Sequence, residues 1–132
     1  MGATVSFDGK VISVTGTGGA LASPAGDLDC GNSGSTMRML AGLVAGQEGV
    51  YRFVGDESLT VRPMERIRKP LELMGARIEL TDGHAPMTVR GGELMGIDFE
   101  APIASAQVKT AVLFAGLQAR GTTSDVYKRQ VH

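Results

Sequence analysis

The feature that most restricts this chain is that it repeats itself. Met1–Gly2–Ala3 returns as Met74–Gly75–Ala76, and each leads into an alternating segment broken by Asp-Gly. Ala41–Gly42–Leu43 returns as Ala115–Gly116–Leu117, each late in an apolar segment of helical spacing, and the two offsets agree to within one residue. A solenoid stacks units of about 20–50 residues, so this period is too long for one. It implies a duplicated β/α block: a strand hairpin, a loop, a strand, a helix, a strand and a second helix, with the second copy breaking off after its first helix. The expected class is α+β (mixed α/β), with helices packed on mixed sheets.

Local signals fill in the block. Thr4–Phe7 and Lys10–Val14 flank Asp8–Gly9 and read as a hairpin. Thr15–Gly26 is loop by composition, and Asp27–Cys30 is short and extended. In CGNSGSTMRMLAGL (Cys30–Leu43), four small or amide residues precede a helical stripe of Met37, Leu40, Ala41 and Val44 that ends near Gly46. Either Ser33 or Ser35 can cap its first turn. Val50–Val54 reads as a strand and Gly55–Val61 as a polar connection. A second helix starts at Met64, with Met64, Ile67, Leu71 and Met74 as its stripe and Pro63 in its first turn. Pro70 should kink or split it. Arg77–Leu80 and Met87–Arg90 flank Thr81–Asp82–Gly83–His84, a second hairpin with His84 in its exposed turn. Ile97–Phe99 is a short strand, and Ser105 opens a third helix with Val108, Ala111, Val112 and Ala115 on one face.

Composition excludes several function classes. The chain has 132 residues, 42 % hydrophobic and 20 % charged, which suits one packed domain or part of a larger one. Thirteen basic against 14 acidic residues give a net charge of −1, whereas a general nucleic-acid or membrane-surface binder needs a basic excess. Aromatic residues are only 5 %, too few for base-stacking platforms. One cysteine, Cys30, permits neither an intrachain disulfide nor a thiolate zinc cluster. No apolar run reaches spanning length, and the N-terminus lacks a signal pattern. A reducing cytoplasm is the expected compartment.

Three places can hold an anion. The glycine-rich lead-in Gly31–Gly34 leaves backbone N–H groups open at a helix start, where the dipole favours negative charge; the alternative is a plain capped helix. It is not a P-loop, because no Gly-Lys-Ser/Thr follows. Arg62 stands just before a helix start, where a cation opposes the dipole unless an anion sits between them, and its fork suits a carboxylate or phosphate. Arg66, Arg68 and Lys69 read as a solvated basic face. Ser105–Ala106–Gln107 offers a second cradle or an ordinary N-cap, and the repeat places it and Gly31–Gly34 at equivalent positions in the two copies, so two helix N-termini can face one site. Arg38 either supports that site or pairs with a surface acid. Asp27 and Asp29 are too few to hold a metal.

LDCGNSGSTMRMLAGL, GDESLTVRPMERIRKPLELMGARIE and PIASAQVKTAVLFAGL together resemble the EPSP synthase family, the shikimate-pathway enolpyruvyl transferases that glyphosate inhibits. The resemblance implies βαβαββ units in an inside-out domain, about one and a half to two of them in this chain. Residues 1–123 are expected to be a partial enolpyruvyl-transferase domain and Ser124–His132 (SDVYKRQVH) a non-native tail. It implies transfer of the enolpyruvyl group from phosphoenolpyruvate to shikimate 3-phosphate with release of phosphate, no metal or cofactor, and a cytoplasmic enzyme that is monomeric at full length. By position Asn32 and Gly34 belong to the phosphoenolpyruvate loop and Arg62 holds that ligand. Ser105 and Ala106 bind shikimate 3-phosphate, Gln107 touches both substrates, and Arg38 supports the site. The family's general acid/base residues match nothing here, so no catalytic residue is assigned. A UDP-N-acetylglucosamine enolpyruvyl transferase and a non-catalytic anion-binding fragment are the alternatives.

Overall fold

A computed structural model describes residues 1–102 and 104–127. β1 (Thr4–Phe7) and β2 (Ile12–Thr15) form the first hairpin, and Asp8 Oδ1 holds its turn by accepting from the Lys10 and Val11 amides at 2.9 and 2.8 Å. β3 (Leu28–Asp29) leads into α1 (Gly34–Ala45), whose cap is Ser33 rather than Ser35: the Thr36 amide donates to Ser33 Oγ at 3.1 Å. β4 (Gly49–Val54) follows.

The polar connection after β4 is not irregular. Glu57–Thr60 forms a one-turn helix, α2, because Asp56 Oδ1 accepts the Leu59 amide at 2.8 Å and Leu59 buries completely. α3 (Glu65–Met74) begins after the cap Met64, so Pro63 precedes the helix instead of standing in its first turn. Pro70 does not split α3. A proline in a helix interior costs about 3 kcal/mol, whereas each fully buried side chain of Met64, Ile67, Leu71 and Met74 returns ~2 kcal/mol. The buried stripe outweighs the lost rung.

β5 (Arg77–Thr81) and β6 (His84–Gly91) make the second hairpin around Asp82 and Gly83, which both have positive φ (51° and 80°) as a tight two-residue turn demands. His84 is therefore not in an exposed turn. It opens β6, half-buried, with Nδ1 3.0 Å from the Arg62 carbonyl oxygen. β7 (Asp98–Ala101), α4 (Ala106–Gly116) and β8 (Ser124–Tyr127) complete the described chain. Of the expected tail 124–132, residues 124–127 thus form a strand, and 128–132 lie outside the described residues.

Hydrogen bonding redraws the repeat. The second hairpin joins β3 and β4 in a four-stranded sheet of order β3-β4-β6-β5, parallel between β3 and β4 and antiparallel elsewhere. One whole βαβαββ unit therefore runs from β3 to β6, with α1 and α3 as its main helices. The first hairpin takes the place of such a unit's last two strands. β7–α4–β8 repeats β3–α1–β4, with β7 and β8 parallel, so the second copy continues one strand past its helix. The class is α+β, as expected. The repeated Met-Gly-Ala has a backbone reason, since Gly2 and Gly75 both adopt positive φ (102° and 117°). One difference separates the hairpins. Val5, Phe7, Ile12 and Val14 share one face and are 65–67 % exposed, whereas Ile78, Met87 and Val89 are buried.

α1, α3 and α4 enclose the core together with Tyr51, Phe53, Met87 and Val89. Ser35 meets Gln107, Gly42 meets Ala111 and Gly46 meets Gln118, so α1 and α4 run parallel with both N-termini at one end. At the other end Gln118 Nε2 donates to the carbonyls of Leu43 (2.7 Å) and Phe114 (3.3 Å), satisfying a last-turn acceptor of each helix. Among the described residues no helix is long and apolar enough to cross a membrane.

The crossing depends on Gly42. A Cβ there would lie 2.1 Å from the Ala111 carbonyl oxygen. Helix propensity alone favours alanine over glycine by about 1 kcal/mol. Gly42→Ala is nevertheless expected to destabilise by about 1–3 kcal/mol through overpacking, read as a lower urea midpoint. Unchanged or higher stability would show that the helices can part at no cost.

Candidate anion site at two helix N-termini

The parallel packing of α1 and α4 sets two capped helix starts side by side. Ser33 caps one and Ser105 the other, with the Val108 amide donating to Ser105 Oγ at 3.4 Å. Neither first turn carries an acidic residue, so no side-chain charge compensates the positive ends of the two dipoles there.

Arg38 reaches from α1 across the gap. Its Nη1 donates to Gln107 Oε1 at 2.7 Å and its Nη2 to the Pro63 carbonyl at 3.0 Å. Gln107 Nε2 in turn donates to Ser35 Oγ at 2.8 Å. Arg38 is thus held by two neutral acceptors and takes part in none of the ion pairs among the described residues. Arg62 approaches from the end of α2, where its Nη2 donates to Asn32 Oδ1 at 3.1 Å and Asn32 Nδ2 donates to Asp56. Both arginines converge on Gly34, since a Cβ built there would lie 2.9 Å from Arg38 Nη1 and 3.3 Å from Arg62 Nη1. Only a residue without a side chain leaves this helix start open to them.

Beside them a cleft of about 280 Å³ is lined by Arg38, Pro63, Arg66, Ser105, Ala106 and Gln107. A larger hollow of about 520 Å³ adjoins it, but its wall includes Leu73, Phe99, Ala101 and Pro102, a surface less suited to a multiply charged ligand. Burial, then the charges of Arg62 and Arg66, push the Arg38 guanidinium below its ordinary value. Among the ion pairs of the described residues, none involves Arg38, Arg62 or Arg66. Three cations are gathered, two of them held by amide and carbonyl oxygens, and that arrangement suits an anion.

The sequence-predicted residues therefore meet. Asn32, Gly34, Arg38, Arg62 and Gln107 form one connected cluster, and Ser105 and Ala106 line the cleft next to it. Arg66 is exposed, in keeping with the solvated-face reading, and also lines the same cleft, whereas Arg68 is spent on Glu65, with Nε 2.9 Å from Oε1, and lies 3.6 Å from Glu72. Sequence reasoning missed Ser35 as a partner of Gln107, and it missed Asp56 and His84. Asp56 carried a usable signal, an aspartate at the cap position before Glu57–Ser58–Leu59. His84 carried none, because its partner is a backbone carbonyl 22 residues away.

The family profile of EPSP synthase (3-phosphoshikimate 1-carboxyvinyltransferase) matches residues 1–130. The chain belongs to the EPSP synthase family. The 3-phosphoshikimate 1-carboxyvinyltransferase of Koribacter versatilis is 54 % identical over 125 residues, which make up 94 % of this chain and 29 % of that relative. The one from Xanthomonas oryzae pv. oryzae is 54 % identical over 123 residues, 92 % of this chain and 28 % of its own length. The solved EPSP synthase of Acinetobacter baumannii superimposes with a TM-score of 0.93 at 42 % identity, covering 100 % of this chain and 31 % of that one. The chain spans under a third of the length of these relatives.

The Asp56 carboxyl is held below the ordinary value of 3.8, first by the Leu59 amide and next by the Asn32 side chain. A carboxyl whose folded pKa is depressed contributes stability that is complete above its unfolded value and is lost as pH falls through the lower folded value. Carbon NMR of the carboxyl is expected to show this low titration. Asn32→Ala should move it only part of the way back up, because the Leu59 amide remains. A full return would assign the depression to Asn32 alone.

Proposed function

We propose that this segment is part of the substrate cleft of an enzyme that transfers the enolpyruvyl group of phosphoenolpyruvate to the 5-hydroxyl of shikimate 3-phosphate and releases phosphate. The observation that carries the reading is the meeting of two acid-free helix N-termini with Arg38, Arg62 and Arg66, bound together by the Arg38–Gln107–Ser35 contacts. Both substrates are multiply charged anions, and each needs its own cradle at a short distance from the other. Membership of the EPSP synthase family supplies the chemistry.

In this reading Arg62 and the α1 start at Gly34 hold phosphoenolpyruvate, with Asn32 fixing the Arg62 fork. Ser105, Ala106 and the α4 start hold the phosphate of shikimate 3-phosphate. Gln107 lies between, tied to Arg38 through Oε1 and to Ser35 through Nε2, so a ligand in either cradle touches the same amide. These residues bind, orient and neutralise; fixed donors aimed at where charge collects cost no reorganisation during reaction. The relatives' names favour a phosphoshikimate acceptor over a UDP-sugar acceptor.

The test is a chimera in which Gly31–Gln107 replaces the matching segment of the Acinetobacter baumannii enzyme. It is expected to turn over phosphoenolpyruvate with shikimate 3-phosphate and not with UDP-N-acetylglucosamine. Arg62→Ala in that chimera should lower kcat/KM for phosphoenolpyruvate by about 10- to 100-fold, the loss of one charge-assisted contact or more. A folded chimera without turnover, or an Arg62→Ala variant with unchanged kcat/KM, would overturn the assignment. The 132-residue polypeptide alone is expected to show no turnover, since the family's acid/base residues match no position in it.

A further inference from the structure

We propose that Asp56 is a positioning residue for the Arg62 anion site, acting through the amide of Asn32. The inference rests on the reading of that site as the phosphoenolpyruvate cradle, and it adds a residue that touches no ligand. An ionised carboxylate only accepts hydrogen bonds and a guanidinium only donates them. Asn32 stands between one of each. Its Nδ2 lies 3.1 and 3.3 Å from the two Asp56 carboxylate oxygens, and its Oδ1 lies 3.1 Å from Arg62 Nη2. Turned the other way, the amide would set oxygen against carboxylate and N–H against guanidinium. Asp56 and Arg62 thus demand the same orientation of Asn32, and Asp56 holds the Nδ2 end so that Oδ1 is presented to Arg62.

Asp56 is itself anchored at both ends of this relay. Its backbone N–H donates to the Gly31 carbonyl at 2.8 Å, joining it to the lead-in of α1. Its Oδ1 accepts the Leu59 amide at 2.8 Å, and the Leu59 carbonyl accepts the Arg62 amide at 3.0 Å. The His84 ring nitrogen sits 3.0 Å from the Arg62 carbonyl. Main chain and side chain of Arg62 are therefore registered to the same aspartate.

The sign of one substitution separates this role from the simpler ones. Asp56→Asn keeps the shape and caps α2 as well as aspartate does, but the new amide can turn either face to Asn32, so the polarity of the relay is imposed from the Arg62 side alone and its charged anchor is lost. If Asp56 were only a nearby negative charge, removing it would tighten an anion site. If it were only a helix cap, the variant would change little or would melt earlier.

In the chimera described above, Asp56→Asn is expected to raise KM for phosphoenolpyruvate about tenfold, the weight of one hydrogen bond to a charged group. KM for shikimate 3-phosphate should stay as it was, and the melting temperature should fall by no more than it does in the Asn32→Ala, Asp56→Asn double variant. In an Asn32→Ala background the same substitution should have no further effect on KM for phosphoenolpyruvate, because the relay is already cut. An unchanged or lowered KM for phosphoenolpyruvate, a parallel rise in both KM values with earlier melting, or additive losses in the double variant would each overturn the proposal. Turnover by the parent chimera tests the functional reading. The ratio of phosphoenolpyruvate Kd values between parent and Asp56→Asn, titrated directly, tests the relay whether or not turnover is found.

Discussion

Everything at the candidate site depends on how closely α1 and α4 approach. Gly42 lets the Ala111 backbone sit where a Cβ would have been, and the two helices run parallel from that contact. Parallel helices bring like dipole ends together, which is electrostatically unfavourable unless something negative or well hydrated sits at the shared positive end. The core of Met37, Ala41, Val44, Val108, Ala111, Val112 and Ala115 supplies the apolar burial that holds them there. The fold thus sustains two adjacent positive helix ends by packing and leaves a ligand to complete them.

The side chains around that end follow the same logic. Arg38 and Arg62 are held by Gln107 Oε1, the Pro63 carbonyl and Asn32 Oδ1, all neutral acceptors. A neutral acceptor fixes the fork without quenching its charge, whereas a carboxylate in direct contact would compete with any incoming anion. The nearest acid in the cluster, Asp56, stands one side chain further back. There it can orient the relay while the guanidinium stays open towards Gly34. Arg68 shows the contrast, since it is spent on Glu65 and has no part in the site.

Much of this was legible in the chain. Alternation and Asp-Gly marked both hairpins, the 3.6-residue stripes marked three helices, and two serines before apolar runs marked the caps, because each of these is a local steric or hydrogen-bonding preference. What local signals could not give were outcomes decided by competition with burial. Pro70 stays helical because the α3 stripe is fully buried, Glu57–Thr60 coils because Leu59 has a core to enter, and Ser124–Tyr127 pairs because β7 lies beside it. The repeat and the sheet also divide the chain differently: the hairpin that opens the second sequence repeat closes the β3–β6 unit, since β6 bonds to β4, and pairing between strands leaves no trace in spacing.

The sequence by itself determined the repeat, the α+β class, the three longer helices and the residue types that can grip an anion, all of which follow from periodicity and side-chain chemistry. Only the tertiary structure decided that Gly34, Arg38, Arg62 and Gln107 share one place, that Arg66 joins them, and that Asp56 stands behind Asn32. Gln107 and Ser35 are 72 residues apart, and Arg38 and Gln107 are 69. Contacts at such separations are set by how closely α1 and α4 pack, and that distance is a property of the assembled core.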